Sequence, residues 1–472
     1  MSNSTKKLSF WEKTGYGCGD LASVLFWQNI TLYLLIFYTD TFGLSAIAAG
    51  TMIAVSRILD AIFDVGIGMV ADRTNTKWGK FRPFIMWGAI PLAIMAVLAF
   101  TTPNFADTGK LIYAYITFIL FMFFYSFVNI PYTSLMGVIS PDSKERTSVS
   151  SFKFVGAYLA GLIVSFTALK LAAHFGGGDS TSGKGWSMTM IVYAVFAVVF
   201  FAITFLSTRE RVKPIKEEKS SVKTDLKDLM KNDAWIILFA VTILFILFTC
   251  IRTSVTTHYF KYFVGVQDYT IFGTTHHFTY EDLASAFNGI GQAFSLIGVF
   301  LVPWFAGMSG KKRAVSILLI IAMVCTGAFY FFKPDNLLLI FVFQIFGSVT
   351  GGPISAILWS MYADTADYSE WKTGNRATGL IYSASIMSNK IGWAVGAAIV
   401  GLLLGAFGFK ANEVQNMDVQ GGLKSMMSLI PVAFGTVALI LLYFYKLDEK
   451  KIASIKIDLD ARRAAKGIET EE

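Results

Sequence analysis

"SRILDAIFDVGIGMVADRTNTKWGKFRP", residues 56–83, opens as an apolar stretch suited to a bilayer, yet it carries Arg57, Asp60 and Asp64. Offsets of three and seven from Arg57 put all three charges on one helical face. Each charge costs about 2.5–3.5 kcal/mol near the bilayer centre, so that face must look into a protein interior or a polar cavity. Two acids a turn apart can hold a cation between them or share a proton. The stretch leaves the apolar region through Gly68 and a basic loop holding Arg73, Lys77, Lys80 and Arg82.

The rest of the chain repeats this alternation. Of 472 residues, 54% are hydrophobic and only 15% charged, with 43 phenylalanines, whereas a soluble protein carries roughly a quarter charged residues. Apolar runs near 14–39, 47–71, 83–101, 110–139, 148–173 and 187–207, and again near 234–260, 281–306, 314–332, 337–362, 379–408 and 425–446, are long enough to span ~30 Å of hydrocarbon. The expected class is all-α integral membrane, with twelve transmembrane helices in two six-helix bundles. The bundles occupy 1–207 and 234–446; a charged cytoplasmic linker covers 208–233 and a cytoplasmic tail 447–472. The start runs into the first span without a small-residue cleavage site, which predicts no removed signal peptide.

Lys and Arg set the sides. With both termini inside, inner segments hold 29 of these residues and outer loops six, the positive-inside asymmetry expected of a plasma (cytoplasmic, inner) membrane protein. This distribution explains the net charge of +8 without nucleic acid. Cys18, Cys250 and Cys325 lie in apolar runs with no metal-ligand spacing and read as free thiols. Pairs of glycines four apart at 15–19, 347–351, 392–396 and 401–405 read as close helix packing.

Five cations remain inside the spans: Arg57, Lys153, Lys170, Arg252 and Lys390. Lys170 is near enough to a helix end to snorkel. The embedded carboxylates are Asp20, Asp60 and Asp64, with Arg57 and Lys390 available to balance them. In "FYSFVNIPYTSL", Tyr125 and Asn129 share a face with Ser126 beside them, offering the neutral donors and acceptors that hydroxyl-rich ligands need. "THHFTYED", residues 275–282, gathers His276, His277, Glu281 and Asp282, but in no metalloprotease spacing. No nucleophile elbow, P-loop or dinucleotide fingerprint is present, so neither an enzyme nor ATP-driven transport is supported, and no cofactor or resident metal is expected.

"RILDAIFD", "ADRTNTKWGKFRP", "NIPYTSL" and "ADTADYSEWKTGNRATG" resemble the glycoside–pentoside–hexuronide:cation symporters, over about residues 10–450. The resemblance implies a major-facilitator fold, a central sugar site and alternating access. It makes Asp20 an acceptor for sugar hydroxyls, Tyr125 and Lys153 further sugar contacts, Asp60 and Asp64 the cation pair with Ser126 beside them, and Lys390 a neighbour of the cation site. The functional unit it implies is a monomer.

The departures bear on specificity. Compared with the family's melibiose carriers, Lys153 replaces an arginine, Asn129 an acid, Thr133 a tryptophan, and Phe63 a sodium-binding asparagine. Proton coupling is therefore favoured over sodium, and the pocket is less negative than one built for melibiose. A glycoside or short oligosaccharide containing pentose or uronate is the expected cargo. A lipid or amphiphile symporter of the same fold, or a sensor without net transport, are the alternatives. Charges inside the bilayer's cytoplasmic edge, Arg73, Arg82 and Arg146 against Asp364, Asp367 and Glu370, are expected to form a reversible cytoplasmic gate.

Overall fold

A computed structural model describes residues 7–140, 143–211, 229–271, 274–302, 304–305, 310–373 and 378–465. Most of the expected linker, residues 212–228, lies outside the described residues.

The chain is almost wholly helical: α1 (Phe10–Ile36), α2 (Ala46–Arg73), α3 (Arg82–Ala99), α4 (Asp107–Ile139), α5 (Ser143–Phe175), α6 (Gly183–Ser207) and α7 (Asp233–Tyr259) are followed by a small hairpin. The hairpin pairs β1 (Gln267–Ile271) with β2 (Thr274–Phe278) antiparallel, Gln267 opposite Phe278. Then come α8 (Tyr280–Phe300), α9 (Lys311–Ala328), α10 (Leu337–Thr373), α11 (Thr378–Ala406), α12 (Met417–Met427), α13 (Leu429–Tyr443) and α14 (Glu449–Ala465). Among the described residues, twelve helical stretches are long and apolar enough to cross a bilayer, with α12 and α13 forming one of them.

Local chemistry sets the helix ends. Ser9 and Ser45 cap α1 and α2 by accepting from the amides of Glu12 and Ala48. The Glu210 carboxylate accepts from the amides of Lys80, Phe81 and Arg82 at 2.7, 2.7 and 3.1 Å. It thereby satisfies the first donors of α3 where the helix dipole favours an anion. Two spans share another feature. α1 and α7 each pass into a five-residue π-turn, Phe37–Thr41 and Phe260–Val264, giving two continuous stretches of 32 residues.

One expectation changes here. The tenth span continues to Thr373, so "ADTADYSEWKT" is helix rather than loop, and Asp364, Asp367 and Glu370 ride on its last turns. The segment has neither Pro nor Gly to stop it, and its charges are tolerated because Asp364 is paired.

The chain forms two compact units. The first comprises residues 1–216, 253–292 and 397–423; within it α1 packs on α5 and α6, and α4 on α2 and α3. A Cβ on Gly156 would lie 2.3 Å from the Gly17 carbonyl, which is how closely α1 and α5 approach. The second comprises 217–252, 293–396 and 424–472. Its core gathers Leu238, Leu318, Ile357, Tyr362 and Leu442. The tail helix α14 is part of it, with Ile455 and Leu459 buried and Asp458 accepting from the Trp371 indole at 3.0 Å.

Candidate functional site

The first unit brings the sequence-derived site residues together on α1, α2, α4 and α5. Asp60 is buried and Asp64 half-buried one turn further along α2. Ser126 of α4, itself buried, lies between them, with its Oγ 2.5 Å from an Asp60 oxygen and 2.6 Å from an Asp64 oxygen. A hydroxyl carries a single proton, so it can donate across only one of these contacts. The other short oxygen–oxygen contact calls for a proton on a carboxyl group or a cation beside it. Arg57 is buried one turn before Asp60, its guanidinium 4.7 Å from the Trp27 ring centre. Phe63, next to Asp64 in sequence, packs edge-on against Phe123 at 5.3 Å and presents no oxygen.

A second cluster lies beside the first. Asp20 is buried on α1, and Lys153 of α5 reaches to 3.9 Å from its carboxylate. That separation exceeds a direct hydrogen bond and leaves space for a bridging hydroxyl or water. Tyr125 stacks on Trp27 at 5.3 Å, and its hydroxyl lies within electrostatic reach of Asp20, Asp60 and Arg57. Asn129 faces Tyr125, while its buried amide nitrogen makes no well-formed hydrogen bond to any described residue. Thr133, one turn on, is exposed on the same face. Acceptor, ammonium, phenol and amide thus converge as a polyol site requires.

Two residues at this site were not legible beforehand. Tyr16 and Tyr132 stack at 4.6 Å, and each phenol donates to the other's backbone carbonyl, at 3.0 and 2.8 Å. This reciprocal clamp joins α1 to α4 beneath Asp20, and the Lys153 ammonium lies 5.9 Å from the Tyr132 ring. The only available signal was the i, i+4 spacing of Tyr16 and Asp20.

The chain matches the model of the MFS/sugar transport protein family over residues 15–449. The chain belongs to this family. The isoprimeverose transporter of Lactiplantibacillus pentosus is 37% identical over 93% of this chain and 89% of its own length. A putative glycoside/cation symporter of Escherichia coli is 36% identical over 98% and 97% of the two chains. The crystal structure of the nucleoside transporter NupG superposes with a TM-score of 0.66 at 14% identity, covering 93% of this chain and all of that one. The protein is a multi-pass member of this sugar-transport family with the major-facilitator fold, and the resemblance seen in the loop motifs is borne out.

In this sugar transporter the remaining expected residues are distributed as follows. Lys390 is half-buried on α11 and belongs to the second unit. Asp364, also in that unit, is held by both its oxygens at 2.8 Å from the Lys311 ammonium. Asp367 and Glu370 are half-buried on the same helix. On the first unit Arg73 is exposed. Arg82 donates to the Trp78 carbonyl at 3.1 Å and the Phe205 carbonyl at 2.5 Å, and Arg146 to the Ser140 carbonyl at 3.1 Å. His276 and His277 sit on the hairpin, where His277 pairs with Asp268 at 2.7 Å. Among the described residues, no group of three or more His, Cys, Asp or Glu is arranged for a metal.

Proposed function

We propose that this symporter couples inward movement of a glycoside or short oligosaccharide, pentose- or uronate-containing, to protons. The observation that carries the proton assignment is the Asp60–Ser126–Asp64 group, two carboxylates meeting one hydroxyl at 2.5 and 2.6 Å. A proton completes that arrangement with no further ligand, whereas Na⁺ needs several oxygens and Phe63 offers none at its position. Loading would neutralise one carboxylate, and the Arg57–Trp27–Tyr125 stack would relay the change toward Asp20 and Lys153.

The cargo follows from the second cluster. Lys153 supplies a cation that a uronate carboxylate can engage, while Asp20, Tyr125 and Asn129 match sugar hydroxyls. Similarity to an isoprimeverose transporter and to a glucuronide carrier homolog supports a short glycoside. We assign both termini to the cytoplasm from the Lys and Arg asymmetry, and take the monomer as the functional unit from the family resemblance. The expected cytoplasmic gate of Arg73, Arg82 and Arg146 with Asp364, Asp367 and Glu370 is retained as part of this reading.

The test is transient current from proteoliposomes pulsed with xylosides, glucuronides and galactosides, with and without Na⁺ at two pH values. Current that persists without Na⁺ and vanishes in Asp64→Asn supports proton symport. Strict Na⁺ dependence would overturn the proton assignment. Binding without current would favour a sensor, and no sugar response from folded protein would favour an amphiphile carrier.

A further inference from the structure

The two π-turns of the first unit meet. Asp40, in the turn that ends the α1 stretch, has a side chain only 1% exposed. Its carboxylate accepts from the Lys261 ammonium at 2.6 Å and from the Tyr262 phenol, both in the turn that follows α7. Asn412, in the connection after α11, closes the arrangement. Its side-chain oxygen accepts from Lys261 at 2.8 Å, its amide group donates to the Asp40 carbonyl at 2.7 Å, and its backbone amide donates to the Tyr262 hydroxyl at 2.8 Å. Thr39 donates to the other Asp40 oxygen at 2.7 Å and lies 3.2 Å from Nε2 of His258, which is fully buried. Phe409 covers the group, edge-on to both His258 and Tyr262 at 5.3 and 5.2 Å.

Three features make this more than a surface ion pair. It joins residue 40, in the first half of the sequence, to residues 258–262 and 412 in the second. It uses the corresponding ends of the opening span of each half, both of which switch from α to π geometry. A π-turn in a long helix is a local fault frequently tied to function. Finally, a cavity of about 530 Å³ bordered by Lys261, Tyr262, Tyr280, Glu281 and Asn412 adjoins it, so water can take over these bonds when they part.

We propose that Asp40, Lys261, Tyr262 and Asn412 form a latch that closes the outer end of the sugar path and must break for the sugar site to open outward. The proposal rests on the symporter reading and on the cytoplasmic assignment of the termini, which puts the far ends of α1 and α7 outside. A buried ion pair reinforced by a phenol and an amide holds firmly while assembled. Once water replaces even one bond, the desolvated charges favour separation, so the latch has two states rather than a continuum.

The experiment uses full-length protein in a background with the three native cysteines replaced. Asp40→Cys with Asn412→Cys places thiols across the latch for a short bifunctional crosslinker with a reducible bond. Crosslinking is expected to stop sugar-evoked current, and reduction to restore it. In a parallel variant, Asn412→Gly removes two side-chain hydrogen bonds while preserving the left-handed backbone at φ 58°. It should accelerate amide exchange in residues 37–41 and 260–264 together by about 10-fold, the scale of one to two lost bonds. Undiminished current after quantitative crosslinking would overturn the latch, as would thiols that never crosslink. Exchange that stays slow in Asn412→Gly would also count against it. Absence of current in the protein that keeps Asp40 and Asn412 would instead indict the symporter reading, leaving the exchange measurement to judge the latch.

Discussion

Two of the buried carboxylate groups in the first unit are built differently. Around Asp60 and Asp64, two acids compete for one serine hydroxyl. Around Asp40, one acid is supplied with an ammonium, a phenol and a threonine hydroxyl. In the first group two carboxylates from one helix converge on a single hydroxyl of another. In the second, donors from two π-turns converge on a single carboxylate. The contrast is between the proposed ion site, within α2, and the proposed latch, at the end of the α1 stretch.

Breaking the first group should have the largest effect. Asp60→Asn is expected to abolish uphill accumulation, leaving the internal sugar concentration equal to the external one, with apparent sugar affinity reduced about 100-fold. Radiolabelled uptake against counterflow checks this, since exchange without net accumulation should survive. Removing one partner from the second group leaves a charge behind: Asp40→Ala should cost about 3–5 kcal/mol of stability, read by thermal unfolding in detergent. Asp40→Asn combined with Lys261→Gln should recover much of it, because neither charge is then stranded.

Smaller effects sharpen the comparison. Ser126→Ala should lower coupled uptake about 10-fold, while Ser126→Thr should retain it because the hydroxyl is kept. Restoring an oxygen ligand with Phe63→Asn should create Na⁺ stimulation of uptake where the parent has none. If the parent already responds to Na⁺, the proton reading of the Asp60–Ser126–Asp64 group loses its support. The smallest change expected is for Lys153→Arg: a roughly threefold fall in KM for uronate-containing glycosides and none for neutral ones, measured by initial rates.

Much of this was legible in the chain. The twelve spans follow from apolar length, and Arg57, Asp60 and Asp64 announce themselves because charge is costly in oil. Asp40 escaped because it stands at the very edge of the first apolar run, where an acid needs no explanation. Lys261 reads as an ordinary outer-loop cation for the same reason. Only the π-turns carry both residues into the helical stretches, burying Asp40 and half-burying Lys261. Tyr16 and Tyr132 were hidden among 19 tyrosines, since nothing in their spacing reveals a clamp across 116 residues.

The sequence by itself determined what the hydrophobic effect and charge solvation act on directly: the membrane class, the number of spans, the helical face bearing the acids, and the family. Tertiary structure decided which charges meet. Pairing depends on side chains brought together from distant positions, and distances of 2.5–4 Å between them are fixed by helix packing. It is at that range, inside a low-dielectric bundle, that neighbouring partners decide what a carboxylate can do.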